Sequence, residues 1–115
     1  MKFGYTILYV EDVLHTVSFY EKAFGLKRLF VHESNEYAEM ETGTTRLAFA
    51  SKNLADSHGF DFGHLGKSTA TAPFELAFIT TNVEADFKSA VEKGATELKK
   101  PVQKPWGQLV GYVRD

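Results

Sequence analysis

The sequence predicts an α+β fold in which two similar modules share one core, and three observations carry that prediction. The first is an internal repeat, in which Tyr5 to Val13 (YTILYVEDV) returns as Glu75 to Val83 (ELAFITTNV). A shift of 70 positions lays Asp12 on Asn82, Val13 on Val83 and Val17 on Phe87, and one deletion then brings Gly25 onto Gly94. The second is that each copy passes from a β-branched and aromatic run into an apolar stripe of 3.6-residue spacing that stops at a glycine. The third is that short strand-like runs, separated by turn residues, follow each helix. Neither copy is large enough to bury its own apolar face, so the two must share a core and a cleft between them.

Taken in order, residues 5–10 read as a strand buried on both faces, because apolar side chains occupy both parities. Asp12 caps the helix that follows, Val13, Val17, Tyr20 and Phe24 form its buried stripe, and Gly25 ends it. Segments 27–33, 36–41 and 45–50 are three further strands, joined by tight turns at Glu33 to Asn35 and Glu41 to Thr44. The second half repeats the plan with a strand at 75–80, an Asn82 cap, a stripe of Val83, Phe87, Ala90 and Val91, and a stop at Gly94. Glu84 and Asp86 fall in that helix's first turn, where they favour its dipole. Strand 96–100, a rigid Pro101 to Pro105 connection and strand 108–113 complete it, one strand short of the first half. Either the sequence is truncated there or a sheet edge is left unpaired. Residues 1–50 thus form module one, 51–73 a linker or lid, and 74–115 an incomplete module two of a single domain.

Composition narrows the partners. The 115 residues are 43% hydrophobic and 24% charged, as in an ordinary globular protein of one domain. A net charge of −2 with scattered lysines supplies no basic stripe for a phosphate backbone, so nucleic acid is not an expected partner. Cysteine is absent, which excludes disulfides, thiolate nucleophiles and cysteine metal ligands. No apolar run approaches the ~20 residues of a membrane span and the start lacks an apolar leader core, so membrane is not expected either and a cytoplasmic location is. Ten Phe and five Tyr exceed what a small core needs, and some of them are available to line a pocket or an interface.

Two stretches carry a family pattern. The run from Tyr5 to Val13 followed by Phe19, Tyr20, Phe24 and Gly25 resembles the opening of the vicinal oxygen chelate superfamily, which includes glyoxalase I, extradiol dioxygenases and bleomycin resistance proteins. The run from Pro105, Trp106, Gly107 and Gln108 through Gly111 to Asp115 resembles the start of that family's closing signature. The resemblance implies paired βαβββ modules whose mixed sheet curls into a cup, commonly completed in a homodimer. It also implies where a divalent cation sits in metal-dependent relatives: on the first and last strands of each module. Those positions fall here on Tyr5, Ala48 and Glu75, with the fourth beyond Asp115. Only Glu75 is an ordinary ligand type, so the chain departs from the enzymatic pattern.

Strand alternation places Tyr5, Ile7 and Tyr9 on one face, Arg46, Ala48 and Ala50 on another, and Glu75, Ala77 and Ile79 on a third. By the resemblance these faces look into the cup, where Glu75 is a candidate polar anchor, paired with Arg46 or reaching solvent at the strand end. Trp106, Gln108 and Tyr112 at the final strand, and Phe60 and Phe62 in the linker, complete the candidate lining; for Trp106, ordinary packing is an equal alternative. His58, Asp61 and His64 have a His-x2-Asp-x2-His spacing but no helix to aim both imidazoles one way, and read as a solvated loop. His15 and His32 read as surface or partly packed histidines, and Lys93, Lys99, Lys100 and Lys104 as a solvated face. No catalytic residue is assigned. The expected function is metal-free binding or sequestration of a small, partly apolar molecule in the cup of a homodimer, with no cofactor. The alternative is a divergent divalent-metal-dependent lyase or dioxygenase using Glu75.

Overall fold

The computed structural model describes residues 4–59, 75–105 and 107–115. Within them the chain forms β1 (Tyr5–Val10), α1 (Val13–Phe24), β2 (Lys27–Val31), β3 (Tyr37–Glu41), β4 (Arg46–Ser51), α2 (Lys52–Asp56), α3 (Val83–Glu92), β5 (Thr96–Gln103) and β6 (Leu109–Arg114). This is the predicted α+β fold, a curled mixed sheet backed by few helices. The first four strands make one sheet in the order β1-β4-β3-β2, with β1 parallel to β4 and the other pairs antiparallel.

Both long helices start and stop where local chemistry dictates. The Asp12 carboxylate accepts from His15 N at 2.9 Å, and the Asn82 side-chain oxygen accepts from Ala85 N at 3.1 Å, so each cap satisfies a backbone donor that its helix cannot. Gly25 sits at φ 67°, the left-handed conformation that a side chain disfavours, and its N–H returns to Glu21 O. The helix α1 stripe of Val13, Val17 and Tyr20 is buried against Leu8, Ala38, Met40, Leu47 and Phe49 of the sheet, and this is the molecule's main core. Ala23 rather than Phe24 completes the buried stripe; Phe24 packs at its margin. Arg28 on β2 clamps the helix from outside with two hydrogen bonds to Glu21, at 2.7 and 2.8 Å.

Four expectations are corrected. Residues 75–80 form no strand: they make no ladder, with Leu76 packed on the core and Phe78 stacked on Phe24 at 5.2 Å. The reason lies in module one, where β1 bonds to β4 alone; no described residue supplies a counterpart of β4 for the repeat. Strand β1 is not buried on both faces, since Tyr5 is 50% and Ile7 46% exposed on the side away from α1. Strand β5 runs on through Pro101 to Gln103, because the ladder shifts register between Lys99 and Val102 and the proline falls where no ladder donor is required. Residues 52–56 of the expected linker form the short helix α2, capped by Ser51 Oγ accepting from Leu54 N at 3.0 Å. Residues 60–73 of that linker lie outside the described residues, as do Asp61 and His64.

Helix α3 lies on the β5–β6 pair, with Phe87 against Gly111 of β6. Gly111 permits this close approach: a Cβ there would stand 2.8 Å from Phe87 Cδ2 and 3.1 Å from Pro101 Cγ. Among the described residues no helix is long and apolar enough to cross a membrane. Gly111→Ala should therefore destabilise the fold by about 1–3 kcal/mol through overpacking. In chemical denaturation Phe87→Leu should be costly alone yet recover much of that loss in the double variant; strictly additive effects would show that the ring and Gly111 are not coupled.

Candidate functional site

The face of the first sheet turned away from α1 is built by alternation. Register across β1, β4 and β3 makes three rows: Tyr9, Ala50 and Tyr37; Ile7, Ala48 and Glu39; and Tyr5 beside Arg46. On the opposite parity Ala38, Met40, Leu47 and Phe49 enter the core, which is why the rows can be polar and aromatic. The central strand contributes only methyl groups at two levels. Ala48 and Ala50 are nevertheless 0% and 3% exposed, shielded by the longer side chains on either side.

Two polar pairs furnish this face. Arg46 Nη1 bonds to Glu41 Oε2 at 2.9 Å, and that guanidinium holds the Glu41 carboxyl below its ordinary range. Tyr37 OH donates to Glu39 Oε1 at 3.0 Å. Burial first, then this hydrogen bond and the Glu39 charge, with Tyr5 adding to them, push the Tyr37 phenol up to about 12. Tyr37 therefore stays a donor at neutral pH, and Glu39 accepts.

The residues singled out in the sequence divide. Tyr5, Ile7, Arg46 and Ala48 are brought together, with Tyr5 opposite Arg46 and Ile7 opposite Ala48. Glu75 is exposed, and Arg46 pairs with Glu41 instead, which corrects the expected Glu75–Arg46 pairing. Both residues nonetheless border a cavity of about 500 Å³, between the Thr42 to Leu47 end of the first sheet and the 75–79 segment. Gln108 stands exposed in the turn before β6, its carbonyl accepting from Lys104 N at 2.7 Å. Tyr112 is half-buried on β6 with Lys104 Nζ 5.8 Å from its ring centroid. Phe60, Phe62 and Trp106 lie outside the described residues.

Sequence reading missed Tyr37, Glu39 and Glu41. The signal was present in YAEME, where Tyr37, Glu39 and Glu41 alternate with Ala38 and Met40 as a half-buried strand requires.

The fold has counterparts in known proteins. The family profile of the Glyoxalase/Bleomycin resistance protein/Dioxygenase superfamily matches residues 2–115. The chain belongs to that superfamily. It is 29% identical over 110 residues to the protein YraH of Bacillus subtilis (strain 168), a match covering 94% of this chain and 85% of YraH. A glyoxalase-related enzyme from Fulvimarina pelagi shares the fold at TM-score 0.77 and 24% identity, over 100% of this chain and 81% of the other. A glyoxalase/bleomycin resistance protein/dioxygenase family enzyme from Burkholderia phytofirmans PsJN does so at TM-score 0.73 and 20% identity, over 96% and 87%.

Superfamily membership raises the question of a metal, and the donor set answers poorly. Ala48 has no donor atom, Tyr5 offers a phenol, and Arg46 brings a positive charge beside them. No three His, Asp or Glu side chains gather to hold an ion among the described residues. Tyr5, Ala48 and Glu75 do not fit a divalent cation.

The tyrosines give a pH test. Tyr20 is also raised, by burial and by the Asp115 carboxylate to which its hydroxyl donates. A phenol with a raised folded pKa contributes stability that is complete below its ordinary value of 10.0 and is lost as pH climbs through the folded value. Stability should hold steady to about pH 9 and then fall steeply. Absorbance titration near 295 nm should show Tyr20 and Tyr37 ionising above the ordinary tyrosine value, with one fewer such group in Tyr37→Phe. All five tyrosines ionising together at the ordinary value in the folded protein would contradict this.

Proposed function

We propose that the protein binds a small, partly apolar molecule on the cup face of its first sheet, without a metal. The observation that carries this reading is Ala48: where the resemblance implies a metal ligand, a methyl group lies between Ile7 and Glu39. A face of Tyr5, Ile7, Tyr9 and Tyr37 with a few fixed polar groups suits recognition of an apolar ligand with a defined orientation. Tyr5 and Ile7, about half exposed, present its apolar surface. Binding or sequestration uses this surface as it stands and needs no chemical step.

The same reading takes residues 1–115 as one domain, with module one at 1–50, a linker at 51–73 and module two at 74–115, working as a homodimer in the cytoplasm. Exposed Phe78 and Ile79 on an unladdered segment support an association that covers them.

Ligand-observed NMR with a library of aromatic and aliphatic fragments tests the proposal. Wild-type protein should give reproducible binders, and Ile7→Trp, at a half-exposed position that tolerates bulk, should weaken them at least roughly ten-fold by occupying the face. Elemental analysis of protein purified without chelator should find far less than one ion per chain. Binding indifferent to Ile7→Trp, or a stoichiometric ion whose removal abolishes binding, would overturn the reading.

A further inference from the structure

We infer that Glu39, with Phe30 opposite it on β2 and the Tyr37 hydroxyl bonded to it, forms a subsite for the ammonium group of the bound molecule. This rests on the cup face being a binding site and names the chemistry that the face selects.

Charge accounting singles out Glu39. The face carries two carboxylates, and Arg46 neutralises Glu41 at 2.9 Å; Lys27 on β2 also stands opposite Glu41 rather than Glu39. Among the described residues Glu39 forms no ion pair. Its partner is the Tyr37 hydroxyl, which engages Oε1. The carboxylate is half-buried, and an ionised group drawn partly out of water without a counter-charge is unfavourable unless a ligand supplies that charge.

A local irregularity in the sheet sets an aromatic residue opposite this carboxylate. The β2–β3 ladder begins with Lys27 opposite Glu41 and Arg28 opposite Met40, then shifts by one residue. The bulge skips Leu29 and brings Phe30 opposite Glu39. Phe30 is 46% exposed, so its ring is accessible beside the carboxylate. On the other side the β4 neighbour is the fully buried Ala48, and beyond it Ile7, 46% exposed, presents apolar surface on the same face. A carboxylate beside an exposed aromatic residue can attract an organic cation doubly, through its charge and through the ring's π-system. An anion meets repulsion there, and a neutral hydroxyl gains only a hydrogen bond.

Three probes of one shape separate the possibilities: 2-phenylethylammonium, 2-phenylethanol and 3-phenylpropionate, titrated by NMR into wild type, Glu39→Gln, Phe30→Ala and Ile7→Trp. Wild type should prefer the ammonium probe over the alcohol by about ten-fold and bind the carboxylate most weakly. Glu39→Gln should erase the preference of the ammonium probe over the alcohol, and Phe30→Ala should reduce it in part. Should Glu39→Gln fail to fold, Phe30→Ala and the loss of preference at high salt carry the same test. An ammonium preference that survives Glu39→Gln, or a wild-type preference for alcohol or carboxylate, overturns the subsite. Equal binding of all three probes that Ile7→Trp abolishes removes the subsite and leaves the binding function standing. Absence of binding by every probe, together with no fragment affected by Ile7→Trp, removes both.

Discussion

Tyr20 is the side chain on which the two halves of the molecule depend. It is 3% exposed, and its ring meets Phe49 of β4 at 4.8 Å, Phe24 of its own helix at 5.2 Å and Phe78 of the 75–80 segment at 6.5 Å. Its hydroxyl donates to Asp115 Oδ2 at 2.7 Å, ninety-five residues away in sequence. One phenol thus joins the core of module one, the start of module two and the residue after β6. A phenylalanine would keep the ring contacts and lose the polar tie, whereas a small residue would open the centre of the core. The ring's apolar body and polar tip are both used.

The cup face follows from that core. Because Leu47 and Phe49 are committed to α1, Arg46, Ala48 and Ala50 must point the other way. Ala38 and Met40 likewise turn Tyr37, Glu39 and Glu41 outward. A slip of one residue in any strand would bury the charged set and expose the apolar one, so burial of the core enforces the register of the site. The bulge in β2 is the exception to this rule, and it is what sets an aromatic ring beside Glu39.

Much of this was legible in the residues. The repeat, both N-caps, the Gly25 stop and the four strands of module one follow from local patterns that act within a few residues, and those patterns are strong here. So are the shared faces of Tyr5 with Ile7 and of Arg46 with Ala48, since alternation within a strand needs no tertiary information; that the two faces adjoin is implied only by the resemblance. The 75–80 segment misled because its composition matches β1 closely. A strand, however, is a relation between two segments, and the partner for this one is not among the described residues. Pro101 misled in the other direction: a proline ends a regular ladder but is accommodated at a register shift, and such a shift leaves little trace in composition.

By itself the sequence determined the α+β architecture, the helix ends and the parity of each strand in residues 1–50, because each is a property of near neighbours along the chain. Only the tertiary structure decided that Arg46 is held by Glu41 rather than Glu75, that Tyr37 and Glu39 form a pair on the same face as Tyr5, and that Tyr20 reaches Asp115. Those facts depend on which strands lie side by side and in what register, and that is set by packing across the whole core.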